Sequence, residues 1–350
     1  MHATTIGVDL AKQVFAIHGV DQHGKTVLRK TLRRAQIIEF FTRITPCTVA
    51  MEACGTAHYW ARTLRDLGHT VKLIAPQLVK PYVQGNKHDA ADAAAICEAA
   101  SRPAMRFVTV KTAQSQAILA LHRVRDGFIK SRTAQANQLR GLLDEFGLSI
   151  AQGLGKLIQE VKGVIADMEN GLPPIMRDLA QRLLSHLLEV DKQVQELDLQ
   201  VRQLCRQSEV CRRLEQVPGI GPLTASALEA TVGDNIASFK NGRQLAAFLG
   251  LVPKQHSSGG KQRLQGISKR GDGYLRRLLV HGARAVLRQT IRKPETKDCW
   301  LQQVAARRNM NIACVAQANK TARIVWAMLV HDREFRADLP TASGRQVSTV

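Results

Sequence analysis

Four acidic residues near the start of the chain have types and positions suited to binding a metal ion. Asp9 lies in IGVDLAK and Glu52 in TVAMEACG, each at the end of an apolar run typical of a strand. Asp89 and Asp92 open the stretch DAADAAAICEAA, whose many alanines predict a helix, and residues three apart share a helix face. Because Mg²⁺ prefers a few carboxylate oxygens and keeps room for phosphate oxygens, the four acids predict a site for one or two Mg²⁺ ions against a nucleic-acid backbone. The alternative is structural, with polar strand ends and a capped helix.

The elements that must position these acids form an α/β pattern. Apolar runs and turn residues predict strands at residues 4–10, 13–20, 26–32, 47–51 and 70–75. Helical patterns predict helices at residues 35–44 and 57–67, and a third from residue 89. Strands that alternate with helices predict a sheet covered by helices.

Charge and composition limit the partners of the protein. The 350 residues include 50 Lys and Arg against 29 Asp and Glu, which gives a net charge of +21 and a pI near 10.2. Such an excess is typical of proteins that bind nucleic acid. A basic membrane-surface protein is the competing class, but the sequence shows no apolar run of eighteen residues, no lipidation motif and no export signal. The seven cysteines include no C-x-x-C pair, so we expect oxygen ligands for any metal.

The second region, about residues 111–206, changes to two long helical patterns. In the second pattern, apolar residues repeat at alternating spacings of four and three, which is typical of a coiled coil. They are Leu183, Leu187, Val190, Val194, Leu197, Val201 and Leu204. The pattern favours pairing of the two helices with each other and with another subunit, and the alternative is a helical hairpin within one chain. Residues 147–174 between them carry loop signals.

The third region opens with VPGIGPLTASAL, residues 217–228, where glycines and prolines predict a tight turn between two helices. Such a helix-hairpin-helix can present backbone N–H groups around Gly219 and Gly221 to a phosphate. The alternative reading is a plain packing unit without nucleic-acid contact.

A basic, glycine-rich stretch follows. From Lys240 to Lys293 the sequence has thirteen Lys and Arg against one acid, Asp272. Part of this charge lies on a solvated helix face. The prediction of phosphate binding is therefore confined to the loop segment 254–277. The predicted contact residues are Lys254, Lys261, Arg263, Lys269, Arg270, Arg276 and Arg277. In the same loop Ser257 and Ser258 precede two glycines, and neighbouring cations can activate a serine nucleophile, although SSGG is also ordinary loop composition.

Six motifs occur in one order along nearly the whole chain. They are IGVDLAK, AMEACGT, KHDAADA, PGIGPLTA, GLVPKQHSSGGK and ISKRGDGYLRRLLV. Together they resemble insertion-sequence transposases of the IS-one-ten type. The resemblance implies an RNase H/RuvC-like mixed sheet domain with a DEDD acid set at residues 1–110 and a helical coiled-coil, oligomerisation region at 111–206. It further implies a mostly helical, serine-containing transposase domain with the helix-hairpin-helix at 207–337, and a disordered tail at 338–350.

The resemblance also implies a mechanism and partners. Ser258 would attack a DNA phosphodiester, while Asp9, Glu52, Asp89 and Asp92 would hold Mg²⁺ at the scissile backbone. The expected partners are donor and target DNA, a structured noncoding guide RNA (bridge RNA), and further copies of the chain, as a dimer or as a tetramer on DNA. We expect no membrane partner and a cytoplasmic bacterial location, associated with the nucleoid when DNA is bound.

Three other classes compete with this reading. A metal-dependent structure-specific endonuclease, such as a junction resolvase, would use the acidic residues alone and treat Ser258 as loop filler. A nucleic-acid-binding protein without catalysis would need neither. An actin-like sugar kinase also begins with a strand carrying G-x-D, but the chain offers no second phosphate loop and its basic charge fits that class poorly.

Overall fold

The computed structural model describes residues 2–83, 88–292 and 299–336. The chain divides into two compact units, Met1–Gln116 and Ala117–Val350. The first is a mixed α/β unit and the second is mainly helical, in agreement with the predicted combination of classes. The predicted tail at 338–350 lies outside the described residues. Within the described part of the chain, no helix is both long and apolar enough to cross a membrane.

The first unit is built on a six-stranded mixed sheet. Its strands are β1 Thr5–Leu10, β2 Val14–Val20, β3 Thr26–Arg33, β4 Thr48–Glu52, β5 Thr70–Ile74 and β6 Phe107–Val108, in the spatial order β3-β2-β1-β4-β5-β6. β1 pairs with β2 in antiparallel orientation and with β4 in parallel, and β4 pairs with β5 in parallel. The five predicted strands are confirmed to within one residue at each end, whereas the short β6 was not predicted.

Helices cover both faces of this sheet. They are α1 Ile37–Thr42, α2 Ala57–Asp66, α3 Pro76–Val79 and α4 Asp89–Ser101. Ile6, Val8 and Met51 pack with Trp60 of α2, whereas Ala50 packs with Ile96 of α4. Because side chains alternate along a strand, even and odd positions of β1 and β4 face different helices. The predicted helix 35–44 is shorter than expected, since a 3₁₀ turn, Arg34–Gln36, occupies its start and α1 ends at Thr42.

The second unit contains most of the helices. They are α5 Ala113–Asp144, which starts in the last residues of the first unit, α6 Leu154–Ala166, α7 Pro174–Gln207, α8 Glu209–Glu215, α9 Pro222–Val232, α10 Gly242–Phe248, α11 Gly273–Arg292, α12 Cys299–Arg307 and α13 Met310–Val330. The prediction that 147–174 is a loop was wrong for α6. Leu157 and Val161, four apart, are fully buried, and the helix accommodates Gly155 and Gly163 because both face open space.

The long helices α5 and α7 run antiparallel and are joined by polar contacts. Arg125 pairs with Asp198, Arg132 pairs with Asp191, and Gln135 contacts His186. The residue numbers in these pairs increase along α5 and decrease along α7, as in antiparallel helices. The repeated apolar residues of α7 lie against the unit: Leu187, Val190, Val194 and Val201 are buried, and Leu183, Leu197 and Leu204 are half-buried. The contacts within one chain are therefore those of a helical hairpin formed by α5 and α7, and a coiled coil between subunits stays a prediction.

A small hairpin interrupts the helical unit. β7 Pro253–Gln255 pairs with β8 Leu264–Ile267 in antiparallel orientation, where the sequence had predicted only a loop. Helices α8 to α13 form a single apolar core next to it, with Leu249, Leu275, Leu279 and Val325 among its buried members.

Candidate active site

Three of the four predicted acids meet at the carboxyl end of the central strand β1. Asp9 lies near the end of β1, and Asp89 and Asp92 lie in the first turn of α4. One carboxylate oxygen from each of the three can be chosen so that all lie within 4.8 Å of one another. Asp9 and Asp92 are half-buried and Asp89 is exposed, so the cluster opens to solvent on one side.

A glycine brings these acids together. A Cβ on Gly7 would lie 2.2 Å from the carbonyl oxygen of Ala93 and 2.7 Å from the backbone nitrogen of Cys97, so α4 lies directly on β1. Asp9 is two residues after Gly7 and therefore points to the same face of the sheet. Asp92 immediately precedes Ala93 and Asp89 lies one helical turn before it, so the same close contact sets their distance from Asp9.

Glu52, the fourth predicted acid, lies beside this cluster on the neighbouring strand but outside the set of three within 4.8 Å. Val8 of β1 is paired with Met51 of β4, which places Glu52 beside Asp9 at the ends of the two parallel strands. Burial raises the pKa of the Glu52 carboxyl, and the negative charges of Asp9 and Asp92 raise it further. A divalent cation would relieve this repulsion, and an all-carboxylate oxygen set matches what Mg²⁺ prefers. The residues present thus fit a divalent metal ion.

Ser258 lies at the tip of the hairpin formed by β7 and β8. Gly259 and Gly260 have φ of 54° and 75°, and the N–H of Lys261 donates to the carbonyl of Ser258 over 3.1 Å. Two central residues with positive φ define a type I′ turn, whose twist suits a hairpin. The loop from 256 to 263 is exposed throughout, so the Ser258 hydroxyl is open to a large substrate.

The two neighbouring serines have different surroundings. The Ser257 hydroxyl accepts hydrogen bonds from the side chain of Gln255 at 3.0 Å and the N–H of Arg263 at 3.4 Å. The Ser258 hydroxyl makes no hydrogen bond within the described part of the chain. Ser257 therefore has a role inside the hairpin, whereas the Ser258 hydroxyl is exposed at its tip.

The predicted basic residues fall into two groups. Lys254, Lys261, Arg263, Lys269 and Arg270 are exposed around the hairpin, and the segment 253–271 contains no acid. Arg276 instead donates to the carbonyls of Leu249 and Arg270, both at 3.0 Å, and Arg277 pairs with Asp126. The first group places positive charge along the hairpin that carries Ser258, from its base to its tip, and Arg276 holds together the two segments from which the hairpin extends.

Close backbone contacts fix these two segments. A Cβ on Gly250 would lie 2.2 Å from the carbonyl oxygen of Arg270, and one on Gly271 would lie 1.8 Å from that of Phe248. Both glycines also have positive φ, 69° and 73°. We call Gly250, Gly271 and Arg276 the hairpin base, since they join the chain entering β7 to the chain leaving β8.

The turn predicted as a helix-hairpin-helix connects α8 to α9. Gly219 has φ of +87°, and its Cβ would lie 2.9 Å from the carbonyl of Gly282 in α11, so the turn rests on that helix by backbone contact. The carbonyl of Gly221 accepts from the N–H groups of Thr224 and Ala225 at the start of α9. Gly219 thus has a packing role, whereas a Cβ on Gly221 would face open space, and the phosphate contact of both glycines stays a prediction.

A buried histidine that sequence reasoning missed ties α5 to α9 and α11. Nδ1 of His122 is 2.9 Å from the Tyr274 hydroxyl, and Nε2 is 3.0 Å from the Ser226 hydroxyl. Ser226 donates to the carbonyl of Pro222, so it accepts from Nε2–H, and Tyr274 donates to Nδ1. Burial, with a smaller effect of Arg125, lowers the pKa of His122 to about 4. No local sequence signal marks this contact, because its partners are 104 and 152 residues away.

Comparison with known proteins gives matches over both units. The family model described as "Transposase", of the DEDD type, matches residues 6–147, and the model "Transposase IS116/IS110/IS902 family" matches residues 211–299. A probable family 20 transposase of Pseudomonas aeruginosa is 52% identical and covers 96% of this chain and 99% of its own length. The transposase for insertion sequence element IS1111A of Coxiella burnetii is 46% identical, covering 95% and 91%. That for IS1328 of Yersinia enterocolitica is 42% identical, covering 95% and 99%.

The sheet with its acidic cluster and these matches define a transposase, an enzyme that cuts and rejoins DNA. The chain belongs to the IS116/IS110/IS902 family. The resemblance drawn from the six motifs is thereby confirmed at the level of the family. The alternative of a junction-resolvase-like endonuclease is not favoured by these matches.

Proposed function

We propose that this transposase exchanges DNA strands through a covalent bond to Ser258. The observation that carries the proposal is the exposed Ser258 hydroxyl at the tip of a hairpin whose flanking segment, 253–271, has five Lys and Arg and no acid. Positive charge stabilises both the incoming phosphodiester and the serine oxygen as it loses its proton. The type I′ turn holds the serine at the exposed tip of the hairpin, where a duplex or a splayed strand can reach it.

The proposed reaction conserves the energy of the phosphodiester. The oxygen Oγ of Ser258 attacks phosphorus, the bond from phosphorus to one DNA oxygen breaks, and the departing DNA hydroxyl takes up a proton while the serine proton passes to solvent. A free hydroxyl of a second DNA end then attacks the phosphoserine and releases the serine. One phosphodiester is broken and one is formed, so the exchange requires no external energy source.

We further propose that Asp9, Glu52, Asp89 and Asp92 hold Mg²⁺ in this reaction. When bound, the ion would neutralise phosphate charge and polarise the scissile group. The support from this chain is the group of three carboxylates within 4.8 Å and the repulsion that raises the pKa of Glu52. Asp89, on the solvent side, is placed to face an incoming backbone, while half-buried Asp9 and Glu52 are held by their strands.

The remaining parts of the proposal concern partners. The net charge of +21 supports binding of a structured noncoding guide RNA as well as DNA, with the phosphate contacts provided by the exposed hairpin cations and the turn at Gly219 and Gly221. The half-buried members of the apolar repeat on α7 support a homo-oligomer joined through a coiled coil, a dimer or a tetramer on DNA. In this proposal residues 1–110, 111–206 and 207–337 act as the metal, oligomerisation and serine domains of a cytoplasmic, nucleoid-associated enzyme.

An adduct experiment tests the proposal. Purified protein, the candidate RNA, Mg²⁺ and end-labelled target DNA are incubated, and denaturing gels reveal protein that carries DNA. We expect an adduct with the unaltered protein and with Ser257→Ala, whose lost hydroxyl only supports the hairpin, and none with Ser258→Ala. Equal cutting by both serine variants without any adduct would refute the serine mechanism and leave the acidic cluster as the cutting site.

A further inference from the structure

A long groove crosses the second unit beside the serine hairpin. Its volume is about 2210 Å³. The lining residues come from the turn between α8 and α9, the starts of α10 and α12, the second half of α11, the strands β7 and β8, α13 and the segment after α13. Pockets for small molecules are usually about 300–1,000 Å³. The volume of the groove is therefore that of a site for a segment of a polymer and not for a small molecule.

Positive charge lines this groove. Five cationic residues, Arg243, Lys320, Arg323, Arg333 and Arg336, face a single acid, Glu334. In the described part of the chain none of the four arginines has an ion pair, whereas Arg213, Arg277 and others outside the groove do. The groove thus has an uncompensated positive field along its length, which a polyanion would complement.

The surface between the charges suits exposed bases. Trp300, Trp326 and Phe335 contribute aromatic surface to the lining, together with seven Asn and Gln side chains. The amide groups offer both hydrogen-bond donors and acceptors, which match the edges of unpaired bases.

We propose that this groove binds an unpaired strand of the DNA substrate. A duplex presents phosphates outward and hides its bases, so it would leave the aromatic and amide surface unused. An unpaired strand offers phosphates to the arginines and bases to that surface at once. Pro253 and Ile267 at the ends of the hairpin strands belong to the lining. Five residues of extended chain, about 17 Å, separate Pro253 from Ser258, so a strand leaving the groove can reach the nucleophile.

The assignment depends on the transposase family and not on the serine mechanism, because binding is measured without cleavage. Full-length protein in EDTA is titrated into a fluorescein-labelled single-stranded 20-mer, the same sequence as duplex, and the same sequence as RNA, at several KCl concentrations. The test variant is Arg243→Ala with Arg323→Ala. The matched control is Arg202→Ala with Arg206→Ala, which removes the same charge from exposed positions on α7.

We expect the groove variant to lose at least tenfold in affinity for single-stranded DNA. The slope of log K against log [KCl] should fall by about 1.4, since each phosphate contact on a single strand contributes about 0.7. The control pair should change affinity less than threefold. Arg333→Ala with Arg336→Ala, altered after the end of α13, repeats the test without touching the packed face of a helix.

Tryptophan emission reports the same event independently. Two of the three tryptophans, Trp300 and Trp326, line the groove, while Trp60 is buried in the first unit. Single-stranded DNA should quench the emission, and Trp300→Phe should remove a large share of that quenching. Equal losses in the groove and control variants, or losses confined to duplex or to RNA, would overturn the assignment.

Discussion

The contact between Gly7 and α4 makes a sharp prediction for Gly7→Ala. The added methyl carbon would lie 2.2 Å from the carbonyl oxygen of Ala93 and 2.7 Å from the nitrogen of Cys97, both backbone atoms that cannot rotate away. Non-bonded atoms normally sit about 3.5 Å apart, so α4 must retreat by about 1 Å. Overpacking of this kind costs about 1–3 kcal/mol, which corresponds to a loss of roughly 4 °C or more in Tm for each kcal/mol in a unit of this size.

The same movement should affect the acidic cluster. Metal–ligand distances tolerate only about 0.2 Å, so a retreat of Asp89 and Asp92 from Asp9 by about 1 Å removes the proposed metal site. For the unaltered protein, Mg²⁺ at about 100 times its Kd should add roughly 2.7 kcal/mol to the free energy of unfolding, and Gly7→Ala should lose this gain.

Thermal melting with EDTA or Mg²⁺ measures both effects. Gly55→Ala is the control, since the added methyl group faces open space between Glu52 and α2. Gly7→Ala could instead have the same Tm as Gly55→Ala and keep the rise in Tm caused by Mg²⁺. The position of α4 would then not depend on the missing Cβ of Gly7, and the explanation of the acidic cluster would be wrong.

Three further predictions concern the other buried and clustered groups. The pKa of His122 is lowered to about 4 from an ordinary 6.5, so its contribution to folding stability is complete above pH 6.5. About 3 kcal/mol of that stability should be lost as the pH falls from 6.5 to 4, and His122→Gln should flatten this part of a curve of Tm against pH. Asp9→Asn should raise Tm in EDTA, since it removes repulsion from Glu52, and should abolish stabilisation by Mg²⁺; a lower Tm in EDTA would contradict the repulsion. Gly271→Ala brings a Cβ to 1.8 Å from the carbonyl oxygen of Phe248 and should expose the hairpin to rapid proteolysis. Gly259→Ala has a positive φ but open space around its Cβ, so it should cost only about 1 kcal/mol of stability. Equal protease sensitivity of the two variants would refute the role of the hairpin base.

The parts of the fold that the sequence predicted are those governed by local patterns. Strand ends at Asp9 and Glu52 and the first turn of α4 follow from apolar runs and an alanine-rich stretch, each readable within about ten residues. Their meeting follows from parallel pairing of β1 and β4 and from one glycine. The sheet unit could therefore be anticipated together with its candidate site.

The second unit was harder to predict because long-range packing decides it. Loop signals around Gly153 and Gly155 concealed α6, whose apolar face is defined only by α5 and α7. The bond between His122 and Tyr274 joins residues 152 apart, and the groove depends on the packing of α10, α11 and α13. The hairpin did have a local signal, because two consecutive glycines between short β-like runs are typical of a type I′ turn.

The two serines show how structure sharpens a chemical prediction that spacing leaves open. In the sequence, Ser257 and Ser258 are equally placed before the glycines, and only the resemblance to a family selects the second. In the hairpin, Ser257 accepts hydrogen bonds from Gln255 and Arg263, so it would have to give up hairpin contacts to attack a phosphate. Ser258 occupies the first position of the turn, where its hydroxyl is exposed among cations. Ser257 therefore supports the hairpin through its hydrogen bonds, and the proposed mechanism needs only the exposed hydroxyl of Ser258 at the turn that Gly259 and Gly260 form.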